Sequence, residues 1–294
     1  MGGRRVIIHA GFHKSGSTFL QSTLFANRRV LQEHGIDYFP FMANHSWPIY
    51  LRFADHPLGH PLSIRHKLGS TGHLSLLQDL VEKSLRRFLA KGSTNTKIIS
   101  GESLCKMSEA ALKRLRDYLL EFCNDVTVVI YCRNYFEYLD SIVQENIKNG
   151  ASLEDARSAL FSSKDLHPSI CMPGYFPNYR MKIEKFDNVF GESNTIARAF
   201  HPEAFHDGNL LGDFCAAIGF EGLASTLNGA ETGRNASVSA LAVAVIDKLN
   251  QRTPLLQNQK INPERPFQNH RHILDLPGVR FQLDDPDLLA AYRK

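Results

Sequence analysis

The chain has 294 residues, enough to bury one sizeable core or two modest ones. Its 43% hydrophobic and 22% charged residues are ordinary for a globular protein and exclude a disordered or fibrous chain. Lysine and arginine total 34 against 30 aspartates and glutamates, a net charge of +4. That excess suits an anionic ligand but is too small and too scattered for a nucleic-acid surface.

Five cysteines (Cys105, Cys123, Cys132, Cys171 and Cys215) leave one unpaired in any disulfide scheme, and none forms a C-x-x-C pair. A zinc ribbon or thioredoxin-type centre is therefore not expected, and a reducing compartment is the simpler inference. The apolar run Val6-Ile7-Ile8 ends at His9, far short of a signal-peptide core or a membrane span. The expectation is a cytoplasmic protein.

Val6 to Ala10 reads as a short strand rich in β-branched residues, ending in a glycine-containing turn. Ser17 to Glu33 reads as one helix with Leu20, Leu24 and Leu31 on one face, closed by Gly35, before a short strand Ile36 to Phe39. Residues 41–73, rich in His, Pro and Gly, read as long loops at the mouth of a site. Leu74 to Ala90 is an amphipathic helix and Lys97 to Ser100 a strand. Ser108 caps a helix running to Phe122, and Val126 to Tyr131 is an apolar strand. Helices are expected over Tyr135 to Asn149, Ser152 to Leu160, Tyr179 to Phe190 and Leu210 to Ile218, with a strand over Thr195 to Ala199. A last helix spans about Ser237 to Asn250. Leu24, Leu80, Val129 and Ile142 are core candidates.

Apolar strands separated by amphipathic helices specify an α/β fold, a central parallel sheet flanked by helices. No linker is evident, so the expectation is a single domain over 1–294, with a core at about 6–250 and a C-terminal extension, 254–294, of undefined role.

The strongest chemical signal is Gly11-Phe12-His13-Lys14-Ser15-Gly16-Ser17-Thr18, between the first strand and the first helix. Such a turn directs backbone N–H groups and the positive end of a helix at an anion. Ser17 and Thr18 add hydroxyl donors and Lys14 a mobile charge. Gly11 and Gly16 have the Walker A spacing, but Ser17 stands where that motif needs lysine. The strand 126–131 leads into Cys132-Arg133 rather than a metal-holding acid. Arg133 at a strand end provides a second anion site.

The run His9 to Thr18, continuing Phe19-Leu20-Gln21, resembles the 5′-phosphosulfate loop of the PAPS-dependent sulfotransferases, with Ser15 in place of a common threonine. Cys132-Arg133-Asn134 followed by Ser141 resembles that family's 3′-phosphate motif. Ser100-Gly101-Glu102 resembles the S-x-E of its small bacterial, carbohydrate-type members, and Gly233-Arg234-Asn235-Ala236-Ser237 their C-terminal segment more loosely. The resemblance implies PAPS as donor, no metal, and transfer of a sulfuryl group to a carbohydrate or glycosylated small molecule. It implies that Lys14, Ser15, Gly16, Ser17 and Thr18 hold the phosphosulfate, that Arg133 and Ser141 hold the 3′-phosphate, and that Arg234 and Asn235 contribute. It further implies Lys14 at the bridging oxygen and Glu102 as general base, with His45 in reserve. A P-loop kinase using ATP and magnesium and a non-catalytic nucleotide-binding module are the alternatives. Neither a nucleic acid nor a membrane is an expected partner.

Overall fold

In the computed structural model, residues 3–92, 94–161, 178–229, 238–254, 256–257, 260–262 and 271–284 are described. The chain divides into two compact units, Met1–Arg133 with Asn178–Glu231, and Asn134–Pro177 with Thr232–Lys294.

The first unit opens with β1 (Arg5–His9), α1 (Ser17–Ala26), α2 (Arg28–Glu33) and β2 (Ile36–Tyr38). After α3 (Ser46–Phe53), α4 (Pro61–Arg65), α5 (Leu68–Thr71) and α6 (Leu74–Ala90) come β3 (Thr96–Ser100), α7 (Glu109–Leu120) and β4 (Asp125–Arg133). The second unit then holds α8 (Tyr135–Lys148) and α9 (Leu153–Phe161). The first unit resumes with α10 (Tyr179–Phe190), β5 (Thr195–Phe200) and α11 (Leu210–Ala217), and α12 (Ala240–Arg252) returns to the second.

The five strands form one all-parallel sheet in the order β2-β3-β1-β4-β5. Successive side chains of a strand point to opposite faces, so a strand buried on both faces must be apolar throughout. β1 obeys this rule. Val6 and Ile8 join Ile99, Val128 and Ile130 on one face, under α3, α6, α7 and α10. Ile7 joins Ile98, Val129 and Tyr131 on the other, under α1, α2 and α11. The α/β expectation is thus met, helices flanking both faces.

Three expected features differ. The single helix over 17–33 is two, because the Asn27 side chain donates to Thr23 O at 2.8 Å and to Asn228 O at 2.8 Å, ending α1 and starting α2. Leu80 is 51% exposed, since α6 buries the stripe Val81, Leu85, Phe88 and Leu89. The stretch 41–73, read as loops, carries α3, α4 and α5.

In the second unit, Leu139, Ile142, Val143 and Ile147 of α8 pack with Ala156 and Leu160 of α9 and Ala242, Val243 and Ile246 of α12. Several of its buried polar groups are matched: Asn250 donates to Ile147 O at 2.8 Å and Ala151 O at 2.6 Å. Asp247 accepts from Leu153 N at 2.7 Å. None of the described helices is long and apolar enough to cross a membrane.

Candidate anion-binding and proton-transfer site

The strand order changes direction at β1: β3 lies on one side of it and β4 on the other. Ligand crevices of parallel sheets open at the carboxyl ends of strands at such a switch. The register aligns His9 at the end of β1 with Ser100 of β3 and Val129 of β4. Two candidate segments therefore meet at one level, the loop after His9 and the turn after Ser100, while β4 runs on beyond Val129 to Arg133.

The loop is shaped by backbone geometry that few residues tolerate. Gly16 caps α1 with φ 73°, and a Cβ there would sit 2.4 Å from Leu210 Cδ2 and 2.8 Å from Phe200 Cε2. Gly11 lies so close to α1 that a Cβ would fall 2.1 Å from Ser17 Oγ. Lys14 has φ 66° without being glycine, a conformation costing about 1–2 kcal/mol. It is held there in part by Arg133, whose Nη1 donates to Lys14 O at 2.9 Å, while the guanidinium stands 5.5 Å from the Phe200 ring. Arg133 therefore braces the loop in addition to presenting charge.

Ser15 departs from its expected part. It is buried and its hydroxyl donates to Phe12 O at 2.6 Å, so it shapes the turn instead of facing a ligand. Ser17 is buried too, but its Oγ has no hydrogen-bond partner among the described residues, nor has Gln21 Nε2 one turn along α1. Thr18 is exposed in the first turn. The first amides of a helix have no intrahelical acceptor, so they and the Ser17 hydroxyl are available to an anion at this end of α1.

Glu102 opens a 3₁₀ turn, Glu102–Lys106, directly after β3. That turn is fastened on several sides. Gly101 N donates to His9 O at 2.9 Å, Ser103 N to Ser46 Oγ at 3.1 Å, and Cys105 Sγ to Ala10 O at 3.2 Å. Burial pushes the Cys105 thiol up to about 12, so it is a packing group and not a nucleophile. Glu102 Oε2 lies 2.9 Å from His13 Nδ1, with the side chains 17% and 31% exposed. An ionised carboxylate only accepts, so Nδ1 donates to it, and in the neutral ring the lone pair then lies on Nε2. His13 Nε2 is shielded from water and has no partner among the described residues.

His9 lies beneath this pair, fully buried, its Nδ1 2.8 Å from Ser100 Oγ and its ring edge-on to Phe214 and Tyr131. Burial pulls it down to about 4, an effect the Glu102 charge partly offsets, so it is neutral. Its Nε2 is also unpartnered among the described residues. A buried polar atom without a partner costs about 1–3 kcal/mol and calls for a reason.

His45, the reserve base, is corrected by its surroundings. Its Nδ1 accepts from Ser100 N at 2.8 Å and its Nε2 donates to Phe39 O at 2.8 Å, leaving no ring nitrogen for a substrate proton. Burial lowers it to about 4, and it serves as a neutral strut between β3 and the start of α3. His60 is a second strut: its Nδ1 accepts from Leu62 N and its Nε2 lies 3.1 Å from Ser103 Oγ. His56 is exposed. Phe39 is fully buried, and Phe41, Tyr50 and Trp47 pack against the core.

Ser141 is half-buried on α8 in the second unit, and Arg234 and Asn235 lie outside the described residues. The described residues include no cluster of three or more His, Cys, Asp or Glu side chains arranged for a metal ion. The His13–Glu102 pair is what sequence reasoning missed, because its members are far apart in the chain. The signal was the parallel alignment of two strand ends, after which His13 and Glu102 both follow within a few residues.

No protein-family model matches the chain, and no curated protein matches it in sequence. Among solved structures it is similar to the crystal structure of a sulfotransferase from Alicyclobacillus acidocaldarius, at 15% identity and a TM-score of 0.47, over 74% of this chain and 81% of that one.

Proposed function

We propose that the chain is a sulfotransferase that uses PAPS to sulfate a hydroxyl on a carbohydrate or a glycosylated small molecule. The observation that carries this reading is that one loop holds both an anion cradle and the histidine of a His–Glu pair. Gly16, Ser17 and the first turn of α1 form the cradle, and His13 of the same loop is paired to Glu102. The Ser17 Oγ, without a partner among the described residues, suits a ligand oxygen. PAPS supplies the sulfuryl group when bound and leaves as PAP.

The chain's residues then have distinct parts. The α1 amides, Ser17 and Thr18 bind the phosphosulfate end, and Arg133 the 3′-phosphate. Lys14 meets the charge that develops on the leaving phosphate oxygen. The acceptor hydroxyl gives its proton to the His13–Glu102 pair. Nε2 takes the proton, and Glu102 orients the ring and stabilises the imidazolium, so the carboxylate acts through the histidine.

The test is thermal stability with PAP, ADP, or ATP and magnesium. A ligand at 100 times its Kd adds about 2.7 kcal/mol and raises Tm visibly. Stabilisation by PAP without metal, lost in Arg133→Ala, is expected, together with near-complete loss of turnover in Lys14→Ala. Stabilisation by ATP and magnesium alone would overturn the reading in favour of a kinase.

A further inference from the structure

At the outer edge of the sheet, where β2 ends the strand order, lies a cavity of about 530 Å³. Small-molecule sites have volumes of about 300–1,000 Å³. The cavity shares no residue with the loop before α1 or the Glu102 turn. Two helices wall it. Arg28 and Gln32 come from α2, and Ser84, Arg87, Phe88 and Lys91, at helical spacing, from the last turns of α6 and its C-cap. The stretch from Asp37 to Phe41 completes the lining.

The lining is cationic. Arg28, Arg87 and Lys91 have no carboxylate partner among the described residues. Asp37, the acid among the described lining residues, is already saturated: Oδ1 accepts from Gln32 and Oδ2 from Thr94 and Lys97. Arg28 is held by Phe25, whose ring centre lies 3.7 Å from the guanidinium carbon and whose carbonyl accepts from Nη1. A guanidinium carries five N–H donors, so others are left for a ligand. Arg87 and Lys91 are exposed and four residues apart, a spacing at which like charges repel. The α6 dipole favours cations in its last turn, but it does not account for a third cation from α2 lining the same cavity.

The apolar part of the lining is open at one place. Tyr38, Phe39 and Phe88 are buried, whereas Pro40 is exposed and Phe41 half-buried, its ring stacked on Phe39 at 5.7 Å. Pro40 and Phe41 are therefore the apolar surface that a ligand meets.

We infer that this cavity is a further ligand site of the first unit and takes a small aromatic phosphate ester, its ring against Pro40 and Phe41 and its dianion among Arg28, Arg87 and Lys91. Three cations without a free acid complement more than one negative charge, and guanidinium forks match a phosphate. A phenylalanine beside a proline suits a flat ring.

The test is an amide chemical-shift titration of the full chain at about pH 8, where a phosphate ester carries close to two charges. The probes are naphthyl phosphate, naphthyl sulfate, naphthol and inorganic phosphate. Naphthyl phosphate is expected to bind about tenfold or more tightly than each of the others, and to weaken as salt rises. Its saturable shifts should fall at Phe41, Ser84 and Arg87 and persist in Arg133→Ala, which separates this cavity from the anion cradle at α1. Arg87→Gln combined with Lys91→Gln should weaken binding; both side chains are exposed, and the Lys91 carbonyl that accepts from Lys97 is kept. Phe41→Ala should weaken it through loss of the ring contact. No saturable shift, shifts confined to Ser17 and Thr18, another probe bound as tightly, or an affinity unchanged in both variants overturns the inference.

Discussion

Two charged pairs sit on the same sheet and are treated in opposite ways. At the β2 edge, Lys97 and Asp37 meet at 2.6 Å with side chains only 3% and 4% exposed. Asp37 also accepts from Thr94 Oγ1 at 2.7 Å and Gln32 Nε2 at 2.7 Å, and Lys97 donates to Lys91 O at 2.9 Å. Burial alone would raise the Asp37 carboxyl, but the bonds from Lys97, Thr94 and Gln32 outweigh it and hold the group below its usual range. At the carboxyl end of β3, the His13–Glu102 pair is partly open, and Nε2 has no partner among the described residues. A saturated pair holds structure, whereas a pair with an unused lone pair is placed to accept a proton. The difference lies in what surrounds each pair, not in the residue types.

The largest expected effect is chemical. Glu102→Gln should lower kcat/KM by about 10²- to 10⁴-fold, the range for loss of general-base catalysis, because His13 loses the carboxylate that orients its ring and stabilises the imidazolium, with Tm nearly unchanged. Turnover close to wild type at saturating PAPS would end the assignment of Glu102.

Lys97→Met should do the reverse. It leaves a buried carboxylate unpaired and is expected to cost about 3–5 kcal/mol in urea unfolding. Adding Asp37→Asn should restore most of that loss, and a single variant as stable as wild type would mean the pair is not the saturated element described.

The third effect is graded with pH. His9, His45 and His60 are each pulled down to about 4 by burial, His60 further by Lys106. A histidine whose folded value lies below its unfolded value of about 6.5 gains a proton on unfolding. Stability is therefore full above pH 6.5, falls as pH drops, and levels near pH 4, by up to about 1.4 kcal/mol per pH unit for each ring. His9 and His45 both bond Ser100, so acid should loosen the floor beneath Glu102 before the second unit. Amide exchange at Ser100 and Ile246 as a function of pH checks this order.

Much of the fold was legible because local pattern and burial agree. Leu74–Ala90 and Tyr179–Phe190 match their helical periodicity residue for residue, and the apolar runs of β1, β3 and β4 are strands of a parallel sheet. The break at Asn27 was not legible, because its cause is a bond to Asn228, two hundred residues on. Leu80 was misplaced because leucines lie on both sides of α6, and only packing chooses the buried one. Within the site, Gly11, Gly16 and Lys14 stood out through spacing. The inward turn of the Ser15 hydroxyl and the locked ring of His45 depend on carbonyls and amides that no spacing reveals.

By itself the sequence determined the α/β class, the strand–loop–helix with its glycine geometry, and the arginine at a strand end. These follow from short-range constraints: hydrophobic period, φ limits and charge. Tertiary structure alone decided which histidine meets Glu102. Hydrogen bonding in a parallel sheet sets β1 beside β3 in a fixed register, and that register carries His13 and Glu102 to within 2.9 Å while it seals His9 and His45 below them.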